Sequence, residues 1–326
     1  MNPGEGTRPA AGSARPGAVP ASRGRVRAIL GPTGAGKSAL ALAVAEAASA
    51  RGEAHEIVAV DAFTVYRGMD VATAKPTPAE RARVPHHLVD VLDPADELTV
   101  VRFRDLAGAA IAEVHARGAT ALLVGGSGLY WRAVVDRLEF PPTDPAVRAA
   151  VEARLGDDAE AAHAELALRD PAAAARIPVR NLRRVVRALE VLELTGRPFS
   201  AWDDAWDRYE SVHDDLEVVL LDPPDEVLRA AIEARSAAMV AGGLVAEERR
   251  LASGPRSRTA TAGIGYAEAA AVLRGELAED DLAAAVAART WRYARRQRAW
   301  FRADPRCVPA DPADVLRRWG GGDASA

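Results

Sequence analysis

Cysteine is almost missing from this 326-residue chain, in which Cys307 stands alone. A single cysteine excludes an internal disulfide and a cysteine-based zinc site, and it suits a reducing cytoplasm, where the protein is expected to work. No apolar run approaches the ~18 residues of a membrane span, so no membrane partner is expected. Residues 1–24 are rich in Gly, Pro, Ala and Arg and contain no apolar h-region. They carry no visible secretory signal and are expected to be a disordered tail. The formal net charge of −4 argues against a general nucleic-acid binder, although local basic clusters override an average. The ordinary apolar fraction can fill a sizeable core, and the length suits one large domain or two modest ones.

Against these absences stands one strong local signal. Gly31, Pro32, Thr33, Gly34, Ala35, Gly36, Lys37 and Ser38 fit the pattern G-x-x-x-x-G-K-[ST]. An apolar run, Val26 to Leu30, precedes them and a helical pattern, Ala39 to Ala50, follows. A strand, a glycine-rich turn and a helix N-terminus together aim backbone N–H groups and a helix dipole at an anion. Lys37 adds a full positive charge, and Ser38 offers a hydroxyl to a phosphate-bound Mg²⁺. The pattern points to phosphate without saying which phosphate.

Further along, Ile57 to Val60 reads as a second buried strand ending at Asp61. Ligands of parallel α/β sheets bind at the carboxyl ends of strands, so Asp61 should share the crevice of the phosphate loop. Its carboxylate can hold Mg²⁺, accept a proton or cap the following turn. Ala62, Phe63, Thr64, Tyr66 and Arg67 begin a loop that interleaves aromatic and basic residues, as a base-stacking surface requires. His86 and His87 are neighbours on an extended segment and point to opposite faces, which disfavours chelation by the pair. Ala121 to Val124 is another strand, followed by Gly125, Gly126, Ser127 and Gly128. Phosphate-loop ATPases usually place an acid there, and its absence weighs against ATP hydrolysis. The glycines admit close approach of a ligand, or serve only a turn.

From 136 to 211 the alternation of strand and helix gives way to alanine-rich helical patterns broken by prolines, which reads as an all-helical insertion. Arg176, Arg180, Arg183, Arg184 and Arg187 fall within it with no acid among them. The last four share roughly one helical face, either solvated or set against a polyanion. Val218 to Leu221 returns to the sheet, and a helix from Asp225 to Val240 carries Arg235. Gly263 to Tyr266 forms a further glycine turn, and the last helix, Ala283 to Arg302, mixes six arginines with Trp291, Tyr293, Trp300 and Phe301. Arginine among aromatics suits single-stranded nucleic acid, or an amphipathic helix with aromatics inward and arginines outward. The whole reads as an α/β protein, a P-loop NTPase-like parallel sheet flanked by helices. Its core comprises 25–135 and 212–308, with 136–211 inserted and 309–326 a frayed tail.

Taken together, the segments resemble the tRNA dimethylallyltransferase (tRNA isopentenyltransferase) family. The matching stretches are GPTGAGKS at 31–38, DAFTVYRGMDVATAKP at 61–76, PHHLVDVLDP at 85–94 and GGSGLYWRAV at 125–134. RRVVRALEV at 183–191, GRPFS at 196–200, IEAR at 232–235, GGLVAEE at 242–248, GIGY at 263–266 and TWRYARRQRAWFR at 290–302 continue the series. The resemblance implies transfer of a dimethylallyl group from its diphosphate to the exocyclic amine of adenosine at tRNA position 37, with Mg²⁺ on Ser38. It assigns the diphosphate to Gly31–Ser38 and Arg235. It makes Asp61 the general base and puts the Ser127 hydroxyl, where the family usually has threonine, near the bridging oxygen. Catalysis would then rest on Asp61, Ser127, Lys37 and Arg235. Contacts to tRNA are implied for Asp61 to Thr64, Tyr66, Arg67, Ser127, Arg148, Arg183, Arg184, Arg187, Gly263, Gly265 and Tyr266, in a monomer engaging the anticodon stem-loop. Two positions depart from the pattern. Ala62 stands where serine is usual and Trp291 where arginine is frequent, which touches RNA contacts and not the reaction class. A phosphate-loop kinase or ATPase and an RNA-binding protein with a vestigial loop are the rival readings.

Overall fold

A computed structural model describes residues 24–202 and 206–321. The tail expected over 1–24 therefore lies outside the described residues except for Gly24. The chain runs β1 (Val26–Leu30), α1 (Lys37–Ser49), β2 (His55–Val60), α2 (Pro78–Arg83), β3 (His86–His87), α3 (Val100–Ala116), β4 (Thr120–Gly125) and α4 (Gly128–Val135). Then come α5 (Pro145–Leu155), α6 (Ala159–Arg169), α7 (Pro171–Arg176), α8 (Leu182–Thr195), β5 (Leu216–Leu220), α9 (Asp225–Ala241) and α10 (Leu244–Leu251). Finally there are α11 (Arg258–Thr261), α12 (Tyr266–Leu273), α13 (Leu282–Ala303), β6 (Val308–Pro309) and α14 (Pro312–Gly320). By contacts the chain divides into two compact units, 1–134 with 212–326, and 135–211.

The first unit is built on one sheet in the order β3-β2-β4-β1-β5-β6, and every pairing is parallel. Its central strands are apolar on both faces because helices cover both, and β1 is buried at all five positions. Strand register determines which loops meet at the sheet's carboxyl end. Leu30 and Val60 both pair with Gly125, so Gly31, Asp61 and Gly126 leave the sheet at one level. No helix of the described residues is long and apolar enough to cross a membrane.

The second unit is helical, with α5 to α8 packed around Val151, Leu166, Val185 and Leu189. Asp144 and Asp170 start α5 and α7 with side-chain caps, each followed by a proline at the first helical position. The same Asp-Pro device appears at Asp311 and Pro312, and it corrects the expectation of a frayed tail from 309 to 321, while 322–326 lie outside the described residues. Asp311 accepts from the N–H groups of Ala313 and Asp314 and begins α14. That helix buries Val315 and Trp319 in the core formed by Ile29, Leu40, Val44 and Leu122. The Trp319 indole donates to Glu217 at 2.7 Å, so its one polar atom is satisfied as the ring leaves water. Trp319→Ala is expected to lower the stability of the sheet-containing unit by about 3–5 kcal/mol, read from a shifted denaturant midpoint.

Candidate active site

The crevice at the carboxyl ends of β1, β2 and β4 begins with the phosphate loop. Gly36, at φ 84°, takes the left-handed conformation that turns the chain into α1 and acts as its N-cap. Thr33, Lys37 and Ser38 line the resulting cavity together with Asp61 and Arg235. Lys37 folds back so that Nζ donates to the Pro32 carbonyl at 2.7 Å. Burial brings its pKa down to about 7, the Arg235 guanidinium pushes the same way, and Asp61 partly opposes both. Arg235, delivered by α9, is likewise lowered by burial and partly sustained by Asp61. Two half-buried cations thus share one carboxylate beside a helix N-terminus, an arrangement relieved by an incoming anion.

Asp61 follows directly on β2. Its Oδ1 accepts from the N–H of Phe63 at 2.8 Å and of Thr64 at 3.3 Å. The capping role is therefore real, but it occupies one oxygen, and Oδ2 makes no hydrogen bond with the described residues. Phe63 and Thr64 line the cavity, and the buried Thr64 hydroxyl is unpaired among the described residues. Ala62 is half-buried. Arg67 is exposed and held by Asp93 at 3.0 Å and the Asp90 carbonyl at 2.8 Å. Tyr66 requires a correction. Expected among the RNA contacts, its ring is completely buried, and its hydroxyl donates to the Asp96 carbonyl at 3.2 Å. Stacking on a base is closed to it.

Opposite this loop, Gly263, Ile264 and Tyr266 complete the wall. Gly265 starts α12, and its N–H is held by Glu268 at 2.9 Å. The Tyr266 hydroxyl donates to Glu247 at 2.8 Å, and burial with that carboxylate drives its pKa up. Glu247 in turn accepts from the N–H groups of Asp70 and Val71 at 3.0 Å, linking the two walls.

Gln297 of α13 is a site residue that composition and motif did not single out. It accepts from Thr33 N at 2.9 Å and donates to the Gly126 carbonyl at 2.7 Å, strapping the phosphate loop to the end of β4. A Cβ on Gly126 would lie 2.3 Å from the Gln297 amide nitrogen, which accounts for that glycine. Val286, Thr290 and Tyr293 line the cavity from the same face of α13. Their positions in a helix already expected to be amphipathic carried the signal, at i, i+4, i+7 and i+11 with Gln297. Ser127 is half-buried just beyond β4 and does not line this cavity.

The arginines of α13 divide in a way that spacing did not reveal. Arg298 is buried and pairs with Asp222 at 2.6 Å and with Asp225. Arg289 pairs with Glu268 and Arg302 with Asp222. Trp300, conversely, is 44% exposed, so the division into inward aromatics and outward arginines fails at both residues. Trp291 packs under the Arg229 guanidinium at 4.3 Å.

Within the helical unit, Arg148 and Arg187 converge on Glu190, which is wholly buried. Arg187 also donates to the carbonyls of Pro141 and Pro142. The acid that appeared missing from the arginine run lies one helical turn beyond it. Arg183 and Arg184 are exposed and make no ion pair with the described residues.

Mg²⁺ suits this donor set. No group of three or more His, Cys, Asp or Glu among the described residues could hold a metal. Mg²⁺, however, typically takes one or two protein oxygens and fills its shell with phosphate and water. The Ser38 hydroxyl at the cradle provides such an oxygen.

Comparison with known proteins agrees with this geometry. A family model described as IPP transferase matches residues 64–304. The chain is 50% identical over 301 residues to the tRNA dimethylallyltransferase of Kineococcus radiotolerans, covering 89% of this chain and 94% of that one. With the tRNA dimethylallyltransferase of Salinispora arenicola it shares 46% over 294 residues, 89% and 83% of the two chains. Among solved structures, the full-length tRNA isopentenylpyrophosphate transferase from Bacillus halodurans aligns with TM-score 0.63 at 34% identity, covering 91% and 95%. A eukaryotic dimethylallyltransferase acting on tRNA aligns with TM-score 0.73 at 23% identity over 92% of this chain and 77% of that one, a likeness of fold. An electropositive phosphate loop facing a carboxylate, a matching family model and relatives of this identity lead to one conclusion: the chain belongs to the IPP transferase family, a family of prenyl-transferring enzymes.

Proposed function

We infer that this enzyme transfers a dimethylallyl group from dimethylallyl diphosphate to the exocyclic amine of adenosine at tRNA position 37, beside the anticodon. The observation that carries the reading is the lining of a single cavity by Lys37, Arg235 and Asp61 together. A kinase or ATPase is disfavoured because Gly125, Gly126 and Ser127 stand where the Mg²⁺-binding acid of such enzymes usually lies. A vestigial loop is disfavoured because the buried charge on Lys37 and Arg235 is costly without an anion to meet it.

The chemistry is set by what each side must do. An adenine amine is a weak nucleophile, since its lone pair is delocalised into the ring. As the nitrogen bonds to the first carbon of the donor, the carbon–oxygen bond breaks and the diphosphate leaves with the electron pair. Backbone N–H groups of the phosphate loop, Lys37 and Arg235 receive that growing charge, and the Ser127 hydroxyl is assigned to the bridging oxygen. Preorganised donors of this kind are worth about 3–4 kcal/mol each when one is deleted. Mg²⁺ held at Ser38 supplies further charge neutralisation of the diphosphate. Asp61, fixed through Oδ1 by its own turn, orients the amine and accepts its proton. The adenine leaves its stack to enter the cavity, at a smaller cost in an anticodon loop than in a duplex. Arg183, Arg184 and the exposed loop at Arg67 are assigned to the RNA backbone. A single chain working in the cytoplasm suffices for this scheme.

Three outcomes test it. Asp61→Asn retains a side chain that can form the same turn but cannot accept a proton. It is expected to lower kcat by about 10²- to 10⁴-fold while tRNA affinity in a filter-binding assay stays as in the wild type. Joint loss of both would make Asp61 structural. Replacing Arg183 and Arg184 together by Ala should raise the tRNA KM and reduce the salt slope of binding by roughly 1 per lost phosphate contact. The third outcome concerns pH. With Lys37 at about 7 in the free enzyme, an anion that restores its charge raises that pKa. Below pH 7 the group is already protonated and binding takes up no proton there. Above pH 7 binding of the donor should take up one proton, and affinity should fall by up to about tenfold per pH unit. Calorimetry of donor binding in buffers of different ionisation enthalpy measures the uptake directly, and buffer-independent heats at pH 8 would contradict it.

A further inference from the structure

We propose that Lys75 is a positioning residue for prenyl transfer: its buried ammonium clamps the loop 61–76 into the shape that presents Asp61 and one wall of the cavity. The proposal rests on the functional reading above and assigns a role within the same cavity.

The Lys75 side chain is 4% exposed. Its Nζ donates at 2.6 Å to each of three oxygens: the Tyr66 carbonyl, Asp70 Oδ1 and Asp90 Oδ1. Three donors meet three acceptors, so the ammonium is saturated. Two of the acceptors belong to the loop itself and the third to the segment after β3. Asp90 is gripped a second time by Arg81 at 2.8 Å. Two cations and two carboxylates make this cluster balanced, which leaves Lys75 no spare charge for a diphosphate. Positioning, and not phosphate binding, is the role that accounting allows.

The backbone around the clamp is not at rest. Among the described residues four that are not glycine have positive φ, and three of them lie on the two segments that Lys75 joins: Ala74 at 45°, Leu88 at 62° and Asp90 at 59°. Conformations of this kind persist only where surrounding contacts over-determine them, and they gather at functional sites. The same loop supplies Phe63, Thr64, Ala72, Thr73 and Ala74 to the cavity lining. On its far side Glu247 holds the N–H of Asp70, so that residue is fixed through its main chain and its side chain at once.

Lys75→Met keeps the aliphatic stem and removes the three donors. It is expected to lower kcat/KM for tRNA by about 10- to 100-fold, the scale of a misplacement near 1 Å. The Kd for dimethylallyl diphosphate, which depends on the phosphate loop, should change by less than about twofold. Hydrogen exchange of amides 62–76 should quicken while that of 31–40 does not, and Lys75→Arg should recover part of both effects. Asp70→Ala tests the same clamp at a side chain that is 55% exposed, where folding is not at stake, and a fall of a few-fold in kcat/KM for tRNA with unchanged donor affinity is expected. Transfer at the wild-type rate in folded Lys75→Met or in Asp70→Ala would overturn the proposal. So would donor affinity lost as strongly as transfer. If the wild type failed to prenylate tRNA at all, the functional reading would fall, whereas the exchange contrast would still decide the clamp.

Discussion

Lys37 and Arg235 are half-buried in one cavity, where burial and the Arg235 guanidinium lower the Lys37 pKa, with Asp61 as the carboxylate that partly sustains both. Bringing two cations out of water in this way is unfavourable without an anion, and much of the sheet-containing unit exists to hold them there. Parallel register sets Gly31, Asp61 and Gly126 at one level. Gln297 then ties the phosphate loop to the end of β4, and α9 brings Arg235 to the same opening. A diphosphate that grows more negative as it departs is better matched to such a site than a neutral ligand, because the stabilisation increases along the reaction.

The charge elsewhere is arranged to keep that site distinct. Many of the arginines that make the sequence look basic in patches are already paired with fixed acidic partners. Arg298 and Arg302 meet at Asp222, Arg289 at Glu268, and Arg148 and Arg187 at Glu190. Glu190 is wholly buried, so removing either arginine would strand part of a charge in the helical core. What is left for a polyanion is a smaller set of exposed cations, including Arg183 and Arg184. This reconciles an overall charge of −4 with a nucleic-acid substrate: affinity for RNA depends on where the unpaired cations lie and not on their sum.

Local patterns were legible in the sequence, and distant partnerships were not. The phosphate loop announces itself because its function needs consecutive backbone N–H groups, and the strands because each is a short buried run. The end of the second strand pointed to Asp61, and the family resemblance added Arg235, both of which the structure brings to the cavity, and Ser127, which stands just beyond β4 outside it. Tyr66 was misjudged because an aromatic in a basic loop looks the same whether its ring faces RNA or the core, and the hydrogen-bond partners of its hydroxyl, Asp96 and Ser257, lie 30 and 191 positions along the chain. Gln297 went unnoticed because the arginines and aromatics around it drew the reading of that helix away from its i, i+4, i+7, i+11 face, and its worth lies in two hydrogen bonds to residues 264 and 171 positions away. The last helix differs, since its signal was present: Asp311, Pro312 and the i, i+4 pair Val315 and Trp319 form a capped amphipathic turn. The glycine-rich stretch beyond it masked that pattern.

Of the three roles open to Asp61, the structure shows the cap, and the cap is compatible with the proposed role as base. A carboxylate that caps a turn through one oxygen gives up rotational freedom, which would otherwise have to be lost when the substrate arrives. The cap fixes Asp61 only as firmly as the loop whose amides it receives, and that loop includes residues in conformations that a free chain avoids. Rigidity therefore passes inward from Glu247 and Lys75 to the loop, from the loop amides to Oδ1, and from Oδ1 to the oxygen left for the substrate. In the proposed reaction, a carboxylate held in this way meets the adenine amine already oriented. As the proposed base, it would act by being held at a set distance from an amine whose partner carbon the phosphate loop positions independently.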